Sequence, residues 1–427
     1  MGSELALDTA SAPVDASVEV PGSKSIANRA LVCAALADGT SVLGRLATGD
    51  DTTAMIGCLA SMGVGVTVEG DTCTVRGVGR HVLGGSILDA RLAGTTSRFV
   101  TAVAALSSVP SVVTGGEPLR RRPMAPLHDA LAALGATVVA SEDAGHLPVT
   151  VSGGDLSGGV VRMPGDVSSQ YVTALMLIAP LTRDGLRIEL TTPLVSRPYV
   201  AITASVMSAF GVSGIAVGDN IVSVEPGGYR PVDYVIEPDA SSASYPLAMA
   251  AITGGRVTVP GLGSDALQGD AAFADVLKSM GCTVRRDERG VTVTGRATRG
   301  VVIDMSDMSD LVPTLAAIAP FASTPTRITG VGFIRHKESD RIGDLVRGLR
   351  AIGADASEED DGLTIAPSGG RMHGAVLPTH HDHRLAMAWS LLALRIPGIV
   401  VEDPGVVAKS WPDWWSVRSS VLGRSNG

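Results

Sequence analysis

The sequence repeats a unit of about seventy residues six times. Each unit carries a helix that ends in glycine, and these glycines follow one another at intervals of 70 to 76 residues, at Gly63, Gly135, Gly211, Gly281, Gly353 and Gly423. A glycine just after a helix adopts a left-handed conformation that lets the chain reverse. After each of the first five, alternating apolar residues on both sides of a polar tip predict a β-hairpin. The fold must therefore follow from how six mixed units are grouped.

A second helix recurs once in every unit. Its first residues are polar and the rest is apolar nearly all round, which predicts burial. The predicted starts lie 68 to 73 residues apart, at Ser25, Thr95, Ser168, Ser241, Ser309 and His381. Each unit therefore combines strands with one buried helix and one more amphipathic helix.

Six such units cannot share one hydrophobic core, so we expect two domains of three units each. The chain has 427 residues, a length typical of two or three domains. The predicted domains are residues 23–238, and residues 1–22 together with 239–427. The strand "SVEV" at 17–20 is predicted to complete the sixth unit, because the chain ends where that unit's hairpin should begin. Both chain ends would then lie in the same domain.

Composition argues against several classes of protein. A net charge of −9 and 3% aromatic residues disfavour a nucleic-acid surface. The longest apolar runs fall short of the eighteen or so residues of a membrane span, and the N-terminus lacks the basic and apolar regions of a signal peptide. We therefore expect a cytoplasmic protein. The four cysteines have neither zinc-ligand spacing nor the pattern of a disulfide framework.

Cations cluster where the buried helices begin. Three of the four lysines, Lys24, Lys337 and Lys409, lie in short polar stretches. Polar residues at helix starts are usually only caps, and Asp310 is compatible with that role. A cation there, however, opposes the helix dipole by a few tenths of a kcal/mol, and a bound anion would reverse the sign. The cations near predicted helix starts are Lys24, Arg29, Arg98, Lys337, Arg341, His383 and Arg384.

These patterns predict a site for phosphate and carboxylate groups. Glu338 lies between Lys337 and Arg341 and could carry a proton. Three histidines in "THHDHR" (380, 381 and 383) invite a metal interpretation, but no carboxylate ligand set accompanies them. We therefore predict no metal.

Nine short motifs, read in order, resemble the 5-enolpyruvylshikimate-3-phosphate (EPSP) synthase family. They are "PGSKSIANRA", "LAGTTSR", "RRRPM", "SSQYVTAL", "VSRPY", "DASSASYPLA", "HKESDR", "DHRLAMA", and "DP" followed by Lys409. The resemblance implies an α/β (α+β) fold with two domains of three β/α repeats, the inside-out barrel of the enolpyruvyl transferase type, and an active site in the cleft between them. It also implies transfer of enolpyruvate from phosphoenolpyruvate to the 5-hydroxyl of shikimate 3-phosphate, by a monomer that uses no cofactor.

The same resemblance assigns roles to residues at matching positions. Catalysis would fall to Lys24, Asp310 and Glu338. Shikimate 3-phosphate would be bound by Lys24, Ser25, Arg29, Ser168, Ser169, Gln170, Ser196, Tyr199, Asp310 and Lys337. Phosphoenolpyruvate would be bound by Lys24, Gly94, Arg122, Gln170, Arg341, His383, Arg384 and Lys409.

Three positions depart from the commonest family pattern: Leu92, Phe333 and His381 stand where asparagine is frequent. These changes remove polar groups beside both expected substrate sites. They predict reduced sensitivity to glyphosate, the inhibitor that occupies the family's phosphoenolpyruvate site.

Three alternatives remain at this stage. A sister enzyme transfers enolpyruvate to UDP-N-acetylglucosamine, but its family has a cysteine in the loop that here reads "GEPLRRRPM". A paralogue could act on another shikimate-like acid. A non-enzymatic six-repeat scaffold, such as a DNA clamp, would need cations along an inner surface rather than in turn motifs.

Overall fold

The structure, a computed structural model, describes residues 3–47 and 49–423. Its contacts divide the chain into two compact units: Gly22–Ile236, here the first unit, and Met1–Pro21 with Glu237–Gly427, here the second unit. The N-terminal segment contributes β1 (Glu4–Ala6) and β2 (Asp15–Ser17).

The first unit contains seven helices and twelve strands within its described residues. In chain order they are α1 (Lys24–Ala35), β3 (Thr40–Gly44), α2 (Asp50–Ser61), β4 (Gly65–Glu69), β5 (Thr72–Arg76), β6 (Ile87–Asp89), α3 (Gly94–Ala104), β7 (Ser111–Thr114), α4 (Glu117–Arg120), α5 (Ala125–Ala133), β8 (Thr137–Ala140), β9 (Val149–Ser152), β10 (Gly159–Met163), α6 (Ser169–Ile178), β11 (Leu186–Leu190), α7 (Pro198–Ala209), β12 (Ile215–Val217), β13 (Ile221–Val224) and β14 (Asp233–Val235).

The second unit continues with the remaining helices and strands. They are α8 (Ala240–Thr253), β15 (Arg256–Pro260), α9 (Phe273–Ser279), β16 (Thr283–Asp287), β17 (Gly290–Thr294), β18 (Val302–Asp304), α10 (Val312–Ile318), β19 (Thr326–Thr329), α11 (Arg341–Ala351), β20 (Asp355–Glu359), β21 (Gly362–Ala366), β22 (Val376–Leu377), α12 (His383–Leu392), β23 (Val400–Glu402) and α13 (Trp414–Val421). Short 3-10 helices include Gly269–Ala272, Ser309–Leu311, Gly332–His336 and Pro404–Lys409.

Six small sheets correspond to the six repeats. The first unit has the strand orders β14-β3-β5-β4, β6-β7-β9-β8 and β10-β11-β13-β12, and the second has β2-β15-β17-β16, β18-β19-β21-β20 and β1-β23-β22. In each four-stranded sheet one edge strand pairs in parallel and a hairpin forms the other side. The mixed α/β fold and its six repeats, predicted from the sequence, are confirmed.

The glycine periodicity also matches the structure. The six predicted glycines all have positive φ, from 73° at Gly423 to 111° at Gly281. Each follows its helix by two residues, where a left-handed glycine closes the last turn. The five predicted hairpins are β4-β5, β8-β9, β12-β13, β16-β17 and β20-β21.

The prediction that "SVEV" completes the sixth repeat is wrong. Ser17 lies in β2, which pairs in parallel with β15 of the fourth repeat, and the backbone N–H of Val18 donates to the carbonyl of Thr258 (2.9 Å). The sixth sheet is completed instead by β1, antiparallel to β23. The reason is burial: Val14, Val18 and Val20 pack into the core of the second unit beside β15.

The recurring apolar helices form the cores. In the first unit α1, α3 and α6 are buried almost along their whole length, and in the second unit α8, α10 and α12 are. Each unit encloses its own hydrophobic cluster. Burying one Val- or Leu-sized side chain contributes roughly 1.5 to 3 kcal/mol, so these cores hold the helix starts in place. Within the described residues, the helices are too short or too polar to cross a bilayer.

Candidate active site

Lys24 opens α1 and pairs with a carboxylate that the sequence motifs did not single out. Its Nζ lies 3.0 Å from Oδ2 of Asp51, which is on α2 and almost fully buried. The preceding residue, Ser23, caps the helix by accepting the N–H of Ile26. Buried charges need partners, so the lysine motif implies a carboxylate, but only the fold identifies Asp51.

Arg29, one turn further along α1, is buried and ordered by hydrogen bonds from all three guanidinium nitrogens. Nε donates to Oγ1 of Thr203 (2.8 Å), Nη1 to the carbonyl of Ser25 (2.7 Å) and Nη2 to the carbonyl of Tyr199 (3.3 Å). The guanidinium also lies 5.4 Å from the centre of the Phe99 ring. Burial lowers the pKa of Arg29 to about 10, so it remains a cation at neutral pH. The structure thus brings Ser25, Arg29 and Tyr199 together.

Gly94, the first residue of α3, touches Arg122. A Cβ at position 94 would lie 2.5 Å from Nη1 of Arg122, so the guanidinium occupies space that only glycine leaves free. Arg98 connects the start of α3 with the segment that carries Arg122, because its guanidinium donates to the carbonyls of Gly94 (3.2 Å) and Pro123 (3.0 Å). Sequence reasoning identified Arg98 as a cation but assigned it no role.

The start of α6 supplies the remaining predicted residues of the first unit. Ser168 caps the helix by accepting the N–H of Gln170 (3.3 Å), and Ser169 is buried. The side-chain amide of Gln170 donates to Oγ1 of Thr95 on α3 (3.3 Å). Ser196 is buried and has φ 53°, a left-handed conformation that a serine rarely adopts and that often marks functional sites.

Arg341 is the centre of the predicted cluster in the second unit. Its side chain is 1% exposed and contacts three carboxylates. Nε donates to Oδ2 of Asp382 (2.7 Å), Nη1 to Oδ1 of Asp310 (2.9 Å) and Nη2 to Oε2 of Glu338 (2.7 Å). Although burial lowers the pKa of Arg341, the three carboxylates raise it above its ordinary value.

Two further cations share these carboxylates. Arg384 donates from Nη2 to Oδ2 of Asp310 (2.6 Å), and Lys409 donates from Nζ to Oε1 of Glu338 (2.9 Å). Asp382 also caps α12 by accepting the N–H of Arg384 (2.9 Å). Sequence reasoning treated Asp382 only as part of a motif. Its dual role, helix cap and partner of Arg341, requires α11 and α12 to be neighbours.

The cations hold Asp310 in its charged form. Burial alone would raise its pKa, but Arg384, Arg341 and Lys337 outweigh burial and keep the pKa of this carboxyl well below its usual range.

Lys337 and His383 complete the predicted set. Nζ of Lys337 lies 5.7 Å from the centre of the Phe333 ring, a cation–π distance. His383 is buried at the first position of α12, with Nδ1 3.8 Å from Oδ1 of Asp382. His381 has φ 60° and lies 3.4 Å from Asp403. Among residues 3–47 and 49–423 there is no group of three His, Cys, Asp or Glu side chains that could hold a metal ion.

Comparison with known proteins identifies the family of the chain. A family model described as EPSP synthase (3-phosphoshikimate 1-carboxyvinyltransferase) matches residues 9–417. The chain belongs to the EPSP synthase family. It is 42% identical to the 3-phosphoshikimate 1-carboxyvinyltransferase of Nostoc punctiforme, over 95% of this chain and 96% of that protein. It is 40% identical to the enzyme of that name from Methanosphaerula palustris, over 96% of this chain and 97% of that protein.

Solved structures of EPSP synthases have the same fold. An EPSP synthase from Acinetobacter baumannii superimposes with a TM-score of 0.83 at 26% identity, covering 98% of each chain. The enolpyruvyl transferase NikO from Streptomyces tendae gives a TM-score of 0.79, covering 100% of this chain and 98% of that one. Its 19% identity supports a common fold only.

Proposed function

We propose that this protein transfers the enolpyruvyl group of phosphoenolpyruvate to the 5-hydroxyl of shikimate 3-phosphate and releases inorganic phosphate. The observation that carries the proposal is the cluster around Arg341, where buried cations and carboxylates alternate within hydrogen-bond distance. Membership of the EPSP synthase family, whose named relatives carry this activity, supports it. We further propose that the protein acts as a monomer.

We propose that shikimate 3-phosphate, the acceptor substrate, binds to polar groups at the starts of α1 and α6 and in the segment before α7. Arg29 is ordered in advance by its three hydrogen bonds, and the strained backbone at Ser196 holds that side chain in a defined direction. Preordered groups lose little entropy when a ligand binds. The proposed ligands are Lys24, Ser25, Arg29, Ser168, Ser169, Gln170, Ser196, Tyr199, Asp310 and Lys337.

We propose that phosphoenolpyruvate binds to cations that the carboxylates of Asp310 and Glu338 hold in place. Arg341, Arg384 and Lys409 are each paired with Asp310 or Glu338, and a substrate carrying phosphate and carboxylate groups would replace these internal contacts with stronger ones. The proposed ligands are Lys24, Gly94, Arg122, Gln170, Arg341, His383, Arg384 and Lys409.

The chemistry follows from this charge redistribution. When substrate anions draw Arg384 and Arg341 away, the pKa of Asp310 rises and its carboxylate takes the proton of the 5-hydroxyl. The oxygen then forms a bond to C2 of phosphoenolpyruvate, and Glu338 gives a proton to the methylene carbon. The bond from C2 to the phosphate oxygen then breaks as Lys24 gives the departing phosphate a proton, and the methyl carbon returns a proton to Glu338 as the double bond forms again. Exchange with solvent moves the proton held by Asp310 to Lys24 and restores both groups. Cations that by then contact the bound substrates stabilise the charge of the ketal intermediate.

Phosphate release tests the proposed reaction. The purified protein receives phosphoenolpyruvate with shikimate 3-phosphate, or with UDP-N-acetylglucosamine as the alternative acceptor. We expect release with shikimate 3-phosphate alone. Release with UDP-N-acetylglucosamine would assign the protein to the sister activity. No release with either acceptor would refute the proposal, and other cyclic hydroxy acids would then be tested as acceptors.

The variant Glu338→Gln tests the proton carrier. Glutamine keeps an oxygen that can accept from Arg341 or Lys409, but it cannot transfer a proton. We expect kcat to fall about 10² to 10⁴-fold, the range typical of a lost general acid or base. Glu359→Gln is the matched control, because Glu359 is a partly exposed carboxylate of the same unit that pairs only with Arg327 among the ion pairs of the described residues. Equal kcat in the two variants would contradict the role of Glu338.

The variant Leu92→Asn tests the predicted reduced sensitivity to glyphosate. Leu92 is 40% exposed near the start of α3, two residues before Gly94, and presents an apolar surface where an amide would offer a hydrogen bond. One hydrogen bond contributes about 1 kcal/mol, so we expect the asparagine variant to bind glyphosate about fivefold more tightly. The measurement is competitive inhibition against phosphoenolpyruvate, with Leu83→Asn, an exposed leucine away from this helix start, as control. Unchanged inhibition by Leu92→Asn would contradict the prediction.

A further inference from the structure

Two buried threonines to which the sequence reasoning gave no role meet beside the guanidinium of Arg29. Thr173 lies on α6 and Thr203 on α7, and both are fully buried. Their Oγ1 atoms are 3.0 Å apart; that of Thr203 lies 2.8 Å from Nε of Arg29, and that of Thr173 lies 3.3 Å from Nη2. Buried hydroxyl groups need hydrogen-bond partners, and these two find theirs in each other and in Arg29.

The hydrogen of each hydroxyl group has a defined direction. A hydroxyl has one hydrogen to donate and two lone pairs that accept. Thr203 donates its hydrogen to the carbonyl of Tyr199 (2.7 Å). The bond between the two threonines therefore uses the hydrogen of Thr173, and the two lone pairs of Thr203 accept that hydrogen and the Nε–H of Arg29. The hydroxyl of Thr203 is thus fully used.

The guanidinium of Arg29 retains one N–H for a ligand. It carries five N–H groups in all. Nε donates to Thr203, and Nη2 donates to Thr173 and to the carbonyl of Tyr199 (3.3 Å). Nη1 carries two hydrogens, and its bond to the carbonyl of Ser25 (2.7 Å) uses one of them. Within the part of the chain that the structure describes, Nη1 makes no second hydrogen bond.

The same hydrogen bonds connect the three helices that carry the proposed acceptor site. Arg29 is on α1, Thr173 is one turn beyond Ser169 at the start of α6, and Thr203 is one turn beyond Tyr199 on α7. The threonines therefore fix the guanidinium relative to the helix starts to which we assign shikimate 3-phosphate.

We propose that Thr203 and Thr173 are positioning residues, which turn the remaining N–H of Nη1 of Arg29 towards an anionic oxygen of the acceptor substrate. The inference rests on the proposed function, in which Arg29 binds shikimate 3-phosphate. Because the threonines occupy the Nε edge, Arg29 binds this oxygen through Nη1 alone and not through the two-pronged contact that arginine often makes with carboxylate or phosphate. The binding of phosphoenolpyruvate, which we assign to other cations, is independent of the threonine pair.

The variant Thr203→Val tests the positioning role. Valine has nearly the same shape but lacks the hydroxyl, so the buried Nε–H of Arg29 loses its acceptor and the guanidinium can turn. We expect the KM for shikimate 3-phosphate to rise about tenfold, with kcat and the KM for phosphoenolpyruvate changed by less than about twofold. Thr203→Ser restores the hydroxyl and should restore the KM. Thr173→Val leaves the Nε bond intact and should raise the KM only about threefold.

The matched control is Thr101→Val. Thr101 is also a fully buried threonine within a helix of the first unit, and its hydroxyl likewise donates to the carbonyl four residues earlier, that of Ser97 (2.6 Å). It makes no hydrogen bond to Arg29. Thr101→Val should therefore lose similar stability and keep the KM of the unchanged protein. An unchanged KM for shikimate 3-phosphate in Thr203→Val, a rise that Thr101→Val shares, or an equal rise for both substrates would overturn the proposal.

A second measurement keeps the inference testable if the proposed function fails. Should the unchanged protein release no phosphate, the exchange of the Nε–H of Arg29 with solvent is followed by NMR of ¹⁵N-arginine-labelled protein, with Arg29→Lys to identify the resonance. We expect faster exchange in Thr203→Val than in Thr101→Val, because only the first variant removes the acceptor of this N–H. Equal exchange in the two variants would show that Thr203 does not hold Arg29, and the inference would fail as well.

Discussion

Replacing Arg341 by methionine is expected to lower the free energy of unfolding of the second unit by about 3 to 5 kcal/mol. The change leaves Asp310, Glu338 and Asp382 without the guanidinium that contacts all three, and Asp382 is fully buried. Breaking a buried ion pair is costly because desolvated charge remains behind. Chemical denaturation of the second unit, followed by the fluorescence of its tryptophans, measures the effect.

The loss should depend on pH in a defined direction. The cations hold the pKa of Asp310 below its ordinary value in the folded protein, so the stability that Asp310 contributes is present above its unfolded pKa of about 3.9 and is lost as pH falls. Methionine removes one of those cations and lets the folded pKa rise. The difference between the two proteins should therefore be largest near pH 7 and shrink as the pH falls below about 4.

Two further variants make this result specific. Arg341→Lys keeps one charge, but its single nitrogen does not match three carboxylates arranged around the three nitrogens of a guanidinium, so its stability should be intermediate. Arg327→Met removes an exposed arginine whose partner, Glu359, also lies at the surface, and it should unfold as the unchanged protein does. If Arg341→Met and Arg327→Met unfold at the same denaturant concentration, the cluster around Arg341 does not hold the second unit together.

The repeat fold could be predicted from the sequence because its signals are local. A left-handed glycine such as Gly211 can be recognised from a single position of the sequence, and a hairpin such as β16-β17 lies within twelve residues. The pairing of β2 with β15 joins residues about 240 positions apart, and alternation in "SVEV" suits either sheet. Local patterns predict that a strand forms but leave its partner undetermined.

The candidate site likewise has residues that the sequence identifies and partners that only the fold identifies. Cations such as Lys24 and Arg384 stand out because they oppose a helix dipole. Asp51, the partner of Lys24, and Asp382, the partner of Arg341, look like ordinary residues at the start of a helix. The sequence shows that the buried cations need carboxylates, but the choice among 43 acidic residues depends on which helices become neighbours.

Replacing Lys24 by methionine is expected to lower kcat about 10² to 10³-fold, the typical effect of removing one group that stabilises charge in a transition state. The same change deprives the nearly buried Asp51 of its ammonium partner, which should cost about 1 to 3 kcal/mol of stability in the first unit. Phosphate release measures the first effect and denaturation measures the second. The two losses must be separated before Lys24 is assigned a chemical role.

The double variant Lys24→Met/Asp51→Asn separates them. Asparagine removes the uncompensated charge, so the double variant should recover most of the lost stability while turnover stays low. Recovery of turnover together with stability would mean that Lys24 only balances Asp51. Lys24→Arg then distinguishes charge from proton transfer: a guanidinium keeps the pair with Asp51 but does not give up its proton near neutral pH. We expect Lys24→Arg to be stable and poorly active, because a guanidinium is wider than an ammonium and holds its proton more strongly. Substantial turnover would reduce the role of Lys24 to positive charge alone.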